Sequence, residues 1–266
     1  MRDSISLALG EHLDDQPKFK RTVWGLVLYQ SERSQVVSYL ASSNFVWDAE
    51  MILRSFYEAN VKIWYLCSLQ GADREAAVEE FWGAFLDVHA HKRRVKAGLV
   101  KSVSQNLRRE FHTKIFSALE DDKINQFYEG NKKDRRDVEQ RWSFSSLIKK
   151  LETTPKNILD FSSIRALEHS FGLQSHLLHA DVSALDLMHD RKIRSAEELE
   201  ALTGSHVCRI FSDQISIWAM TSIAVWSATG TKCPKGDEIA STVDKVHKLI
   251  RPFSERFEAS QSDSYQ

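Results

Sequence analysis

Apolar residues recur along this chain three and four positions apart and almost nowhere in strict alternation, the spacing of helices that bury one face. From about Lys20 to Ala41 the repeat runs through Val23, Leu26, Val27, Val36, Val37 and Leu40, which predicts a first long helix. Ser42, Ser43 and Asn44 offer cap chemistry for a second, from about Phe45 to Leu69, with Val46, Ile52, Leu53, Phe56, Ile63, Trp64 and Cys67 on its apolar side. A third helix is predicted beyond Gly71-Ala72-Asp73, through Phe81, Trp82, Phe85, Leu86 and Val88 toward Gly98, and a fourth over about Gln105 to Tyr128. Residues 129–137 are charge-dense and read as an exposed loop. The chain re-enters the core from Ile158 to Phe171, and Gly172 weakens or bends that helix. A short helix near Ala196 to Leu202 precedes an apolar one over about His206 to Ala228, and a last amphipathic helix carries Ile239, Val243, Val246, Leu249 and Ile250.

Only four prolines and ten glycines interrupt these patterns. The expectation is an all-α, multi-helix bundle of about eight helices with a buried apolar central helix. It is expected to form a single helical domain over 1–258, with 259–266 a disordered tail.

Composition narrows the function classes. The 36 basic and 37 acidic residues nearly cancel, so no global field draws the chain to nucleic acid or anionic membranes, and a polyanion-binding surface has to be a local patch. Cys67, Cys208 and Cys233 lie far apart without a C-x-x-C pair, which fits reduced, buried thiols better than a disulfide framework or zinc site. No apolar signal segment follows Met1. The uncharged run from Gln214 to Thr231 approaches bilayer length, but its Ser and Thr residues favour a helix inside the bundle. A cytoplasmic chain with no membrane partner is therefore expected. Phosphate-loop, dinucleotide-binding, nucleophile-elbow and H-E-x-x-H motifs are all missing.

Two sets of polar residues stand in apolar surroundings. Glu50, Arg54, Glu58 and Lys62 recur every four residues. They read either as an ion-pair ladder on a solvated stripe or, given the apolar flanks, as part of a polar pocket. Ser175 and His179 share a helix face, with His176 adjacent to His179 at i,i+3. An imidazole there can carry protons at cellular pH, or it can be bonded structurally across helices. The spacing His176-x-x-His179-x-Asp181, with Glu58 in reach, has a metal-ligand look. The Glu-x-x-His pairs of di-iron bundles are missing, and neither a metal nor a cofactor is expected. Basic clusters at 91–96, Arg108-Arg109, 132–136 and 191–194 read as solvated surface unless several converge on one face.

Arg54-Ser55-Phe56-Tyr57-Glu58 and Phe171-Gly172-Leu173-Gln174-Ser175-His176-Leu177-Leu178-His179 resemble a bacterial family of uncharacterised helical proteins. Its members show Arg-x-x-x-Glu in an early apolar helix and a later Tyr/Phe-x-x-x-Ser-x-x-x-His. The resemblance covers about residues 20 to 230. That family is in turn similar to the HEPN superfamily, many of whose members are metal-independent ribonucleases of toxin–antitoxin and antiphage systems. The resemblance implies a helical-bundle effector of bacterial stress or phage defence acting on RNA, with a partner protein or a second copy of itself. His179 would be the acid–base group and Arg54, from another helix, the phosphate stabiliser, with Ser175 and Glu58 orienting them. The other reading, a non-catalytic module that binds a protein or ligand, uses the same residues to fix helix packing.

Overall fold

With so few breakers the chain is helical almost throughout. The computed structural model describes residues 1–13, 15–120, 131–155 and 159–261, and no strand occurs among them. Contacts divide the chain into two compact units, where the sequence reads as a single domain over 1–258. The first unit, Met1–Gln70 with Ile148–Gln266, contains α1 (Arg2–His12), α2 (Pro17–Ser42), α3 (Val46–Ser68), α9 (Ala166–His179), α10 (Val182–Ile193), α11 (Ala196–Ala228) and α12 (Gly236–Gln261). The second, Gly71–Leu147, contains α4 (Gly71–Glu80), α5 (Leu86–Asn106), α6 (Glu110–Glu120) and α7 (Lys132–Arg141). Between them in sequence, α8 (Phe144–Glu152) crosses the boundary. A π-helical turn, Phe81–Phe85, joins α4 to α5 without a break, so eleven separate rods stand among the described residues where eight were expected.

The differences have local causes. Residues 132–141 form a helix, not a loop, because Asn131 caps its start: Oδ1 accepts from the backbone N–H of Lys133 at 2.9 Å and of Asp134 at 3.0 Å. The remainder of the expected 129–137 loop before Asn131, and the end of the expected fourth helix, lie outside the described residues. The helices expected near 196–202 and over 206–228 are one, α11, and Gly204 does not break it. It lies inside α11, where a β-carbon would make ordinary contact with Phe253 of α12 at 3.7 Å. Gly172 sits within an unbroken α9, since one interior glycine costs only about 1 kcal/mol. A Ser195–Glu198 capping box sets the start of α11. The tail expected to be disordered from residue 259 is helical through Gln261, which is buried and accepts from Arg194 Nη1 at 3.4 Å.

In the first unit α3 packs against α2, α9 and α11. Leu53, Phe56, Tyr57, Val61, Ile63 and Leu66 of α3 are inaccessible to solvent, each large apolar side chain contributing about 1.5–3 kcal/mol by burial. Apolar contact alone leaves helices free to slide; buried hydrogen bonds fix the register. Trp64 Nε1 donates to Thr221 Oγ1 at 3.0 Å, and Thr221 donates to Asn60 Oδ1 at 2.7 Å, joining α3 to α11. Ser34 donates to Gln214 at 2.6 Å and accepts from Trp218 at 3.2 Å, joining α2 to α11. Trp226 Nε1 donates to Ser4 Oγ at 2.9 Å, securing α1 to the same helix. The three cysteines are buried thiols that form no disulfide. No described helix is long and apolar enough to cross a membrane.

The second unit gathers Phe81, Phe85 and Trp142 into an aromatic cluster, with centroids 5.1–5.7 Å apart. Trp142 Nε1 and Arg141 Nε both donate to the Glu80 carboxylate, at 2.8 and 3.1 Å. Its α5 and α6 pack as a hairpin whose turn places Arg108 at φ +54°.

Candidate functional site

The polar residues that meet inside the first unit come from two helix faces. On α3, Glu50 and Tyr57 are seven residues apart. On α11, His206, Arg209 and Asp213 follow at i, i+3 and i+7, one line along that helix. The register bonds of Asn60, Trp64 and Thr221 bring the two lines face to face. Glu50 is wholly buried. Its carboxylate accepts from His206 Nδ1 at 2.9 Å, from Gln174 Nε2 of α9 at 3.1 Å, and from Arg209 Nη2. Arg209 Nη1 reaches Asp213 Oδ2 at 2.9 Å, and the Tyr57 hydroxyl donates to the same oxygen.

A buried carboxylate survives as an anion only with this many donors. Burial on its own pushes the Glu50 carboxyl up, but the bond from His206 and the charge and bond of Arg209 outweigh it, and the group titrates below its ordinary range. Asp213 goes the other way. Its burial, reinforced by the like charge of Glu50, raises it despite Arg209 and the Tyr57 hydroxyl. Tyr57 is raised well above a free phenol by burial and by the Asp213 charge, so it stays a donor. Arg209, shared between Glu50 and Asp213, is held as a cation against the cost of its own burial.

Because Nδ1–H of His206 points at Glu50, the neutral ring keeps its lone pair on Nε2. The side chain is 18% exposed, enough to meet a ligand from outside the network. Its ring packs on Trp47, 4.7 Å between centroids. The Arg191 guanidinium of α10 lies 4.0 Å from the Trp47 ring centre. Burial lowers the pKa of Arg191, and its Nη1 is buried with no hydrogen-bond partner. An anchored imidazole, an indole and an underused guanidinium thus share one place. Together these are groups able to move a proton, stack on a planar ring and hold an anion.

The residues singled out from the sequence are distributed around this network. Arg54 pairs with Glu58 at 3.3 Å, and the two side chains are 25% and 35% exposed. The Arg54 guanidinium lies over Phe171 of α9 at 4.3 Å. Glu50, which spacing had placed in the same ladder, bonds to α9 and α11 instead. Burial lowers Lys62, with Glu58 opposing. Ser175 is half-buried on α9, and His179 is exposed on its last turn. The structure brings Arg54 to Glu58 and to Phe171, and Phe171 precedes His179 by eight residues, about 12 Å of helix rise. His176 and Asp181 have a local task. Nδ1 meets Asp181 Oδ2 at 2.5 Å, and Asp181 Oδ1 caps α10 by accepting from Ala184 N at 3.2 Å, across an Ala180 at φ +48°. The bond to His176 is the main cause of a lowered Asp181 carboxyl.

His206, Arg209 and Asp213 lie outside the polar sets singled out from the sequence, where Tyr57 figured only within the Arg54–Glu58 motif and Arg191 only within a basic cluster. The available signal was the line His206-x-x-Arg209-x-x-x-Asp213 in an otherwise apolar helix. Compared with protein-family models, curated proteins and solved structures, the chain matches none.

Proposed function

We propose that this chain is a cytoplasmic effector of bacterial stress or phage defence that cleaves RNA by metal-independent acid–base chemistry at His206. The observation that carries the reading is the wholly buried Glu50 bonded to His206 Nδ1, with Nε2 left for a substrate. In this reading α11 is the buried central helix that presents the imidazole. Nε2 takes the proton of a ribose 2′-hydroxyl. The 2′ oxygen bonds to the adjacent phosphorus, the bond from phosphorus to the 5′ oxygen breaks, and the proton passes to that leaving oxygen. The products are a 2′,3′-cyclic phosphate and a 5′-hydroxyl. Such a positioned group contributes about 10²–10⁴ in rate. Arg191, and Arg54 oriented by Glu58, supply positive charge for the phosphate, and Trp47 supplies a face for a base. Ser175 and His179 form an alternative acid–base centre at the end of α9.

The test is induced expression of wild type, His206→Ala and His179→Ala, followed by incubation of each purified protein with RNA in a chelator and end-group analysis. Growth arrest and cyclic phosphate ends, lost only with His206, are expected. Loss with His179 alone moves the centre to α9.

A second reading, a non-catalytic module that binds a partner protein or a second copy, draws support from Arg209, whose guanidinium is spent on Glu50 and Asp213. Intact RNA with every folded variant is its expected result.

A further inference from the structure

The α5–α6 hairpin, independent of the RNA reading, carries an outward apolar ridge at a fixed spacing. Val95, Leu99, Val103 and Leu107 stand four residues apart, and Phe111, Ile115 and Leu119 continue the same interval across the turn. All seven are exposed, Leu99 to 67% and Phe111 to 71%, and Val100 joins them. Around the ridge Arg93, Arg94, Lys96, Arg108, Arg109 and Lys114 are also exposed. From Leu86 to Glu120 there are eight Lys/Arg and three Asp/Glu, whereas the whole chain has a net charge of −1. Arg108, Arg109 and Lys114 further line a cleft of about 440 Å³ at the turn.

We infer that this hairpin is a docking surface for an anionic lipid bilayer, lying in the headgroup region with its apolar ridge inserted. Apolar side chains on one side and excess Lys/Arg beside them are what holds a helix in that plane. No spanning helix is required. The other polyanion, RNA, calls for stacking rings, and Phe111 is the one aromatic among the eight exposed apolar residues of this ridge. A second copy of the same face meets like charge.

The experiment is flotation of the full chain with phosphatidylcholine vesicles, with and without one third phosphatidylserine. Wild type is expected to float with the anionic vesicles only and to be released by salt. Phe111→Ser with Ile115→Ser, and separately Arg93→Glu with Arg94→Glu, are each expected to weaken binding by about ten-fold or more. Unchanged circular dichroism shows that the variants are folded. Wild type that stays with neither vesicle overturns the proposal. So does dimerisation by light scattering that the Phe111/Ile115 variant abolishes, or hairpin-dependent binding of RNA without vesicle binding.

Discussion

His206 and His179 look alike in the sequence, each a histidine among apolar residues on a helix, yet the two regions that hold them differ in kind. Around His206 the seam of α3, α9 and α11 supplies a buried carboxylate, an indole and a fixed tautomer. At the end of α9, His179 is exposed, and the polar bonds nearby hold a turn through His176 and Asp181. The lesson is that spacing along one helix says which residues share a face. Only the register between helices says which of them is anchored.

That contrast breaks most severely at Glu50. Replacing it with Ala leaves Gln174 Nε2 without its acceptor, His206 without its anchor and Arg209 without one of its two carboxylates. We expect a loss of about 3–5 kcal/mol in urea unfolding, the usual result of breaking a buried ion pair from one side. Tyr57→Phe removes a hydroxyl that donates to Asp213, and is expected to cost about 1.5–3 kcal/mol in the same assay.

Asp213→Asn sharpens the comparison through pH. With burial raising its folded value, the contribution of Asp213 is full below its unfolded value and is lost as pH rises through the raised folded one. Glu50 is lowered by its donors, so its contribution is present above the unfolded value and lost as pH falls through the lowered folded one. Unfolding curves from acid to neutral pH should therefore show Asp213→Asn gaining on wild type as pH rises from the ordinary carboxylate range. A constant difference contradicts this. The smallest effect belongs to Glu58→Ala. Its partly exposed i,i+4 pair with Arg54 is worth under about 0.5 kcal/mol by thermal melting.

How much of this was legible in the sequence follows from which interactions are local. The all-helical class and the extents of α2 and α3 follow from apolar spacing and scarce breakers, because a helix closes its own hydrogen bonds. Start signals were harder. Asn131 caps a helix in a segment whose charge density reads as loop, α1 and α10 are short, and the repeat of Phe144, Leu147, Ile148 and Leu151 in α8 was legible but spans only nine residues. Gly172 does not interrupt α9, because a single interior glycine costs only about 1 kcal/mol, and the helices expected over 196–202 and 206–228 run on as one α11. At the site, Arg54–Glu58 is an i,i+4 contact and readable as such. Glu50 has its partners more than 120 residues away, and no local pattern states that pairing. The basic clusters at 91–96 and 108–109 both belong to the α5–α6 hairpin, one near the start of α5 and the other at the turn into α6.

Initial rates of RNA cleavage by purified His206→Ala and His179→Ala, measured beside wild type in chelator with both variants folded, test the role of His206 most directly. A loss of about 10²-fold or more for His206→Ala, with His179→Ala within a few-fold of wild type, is the predicted result. Full activity in His206→Ala contradicts it.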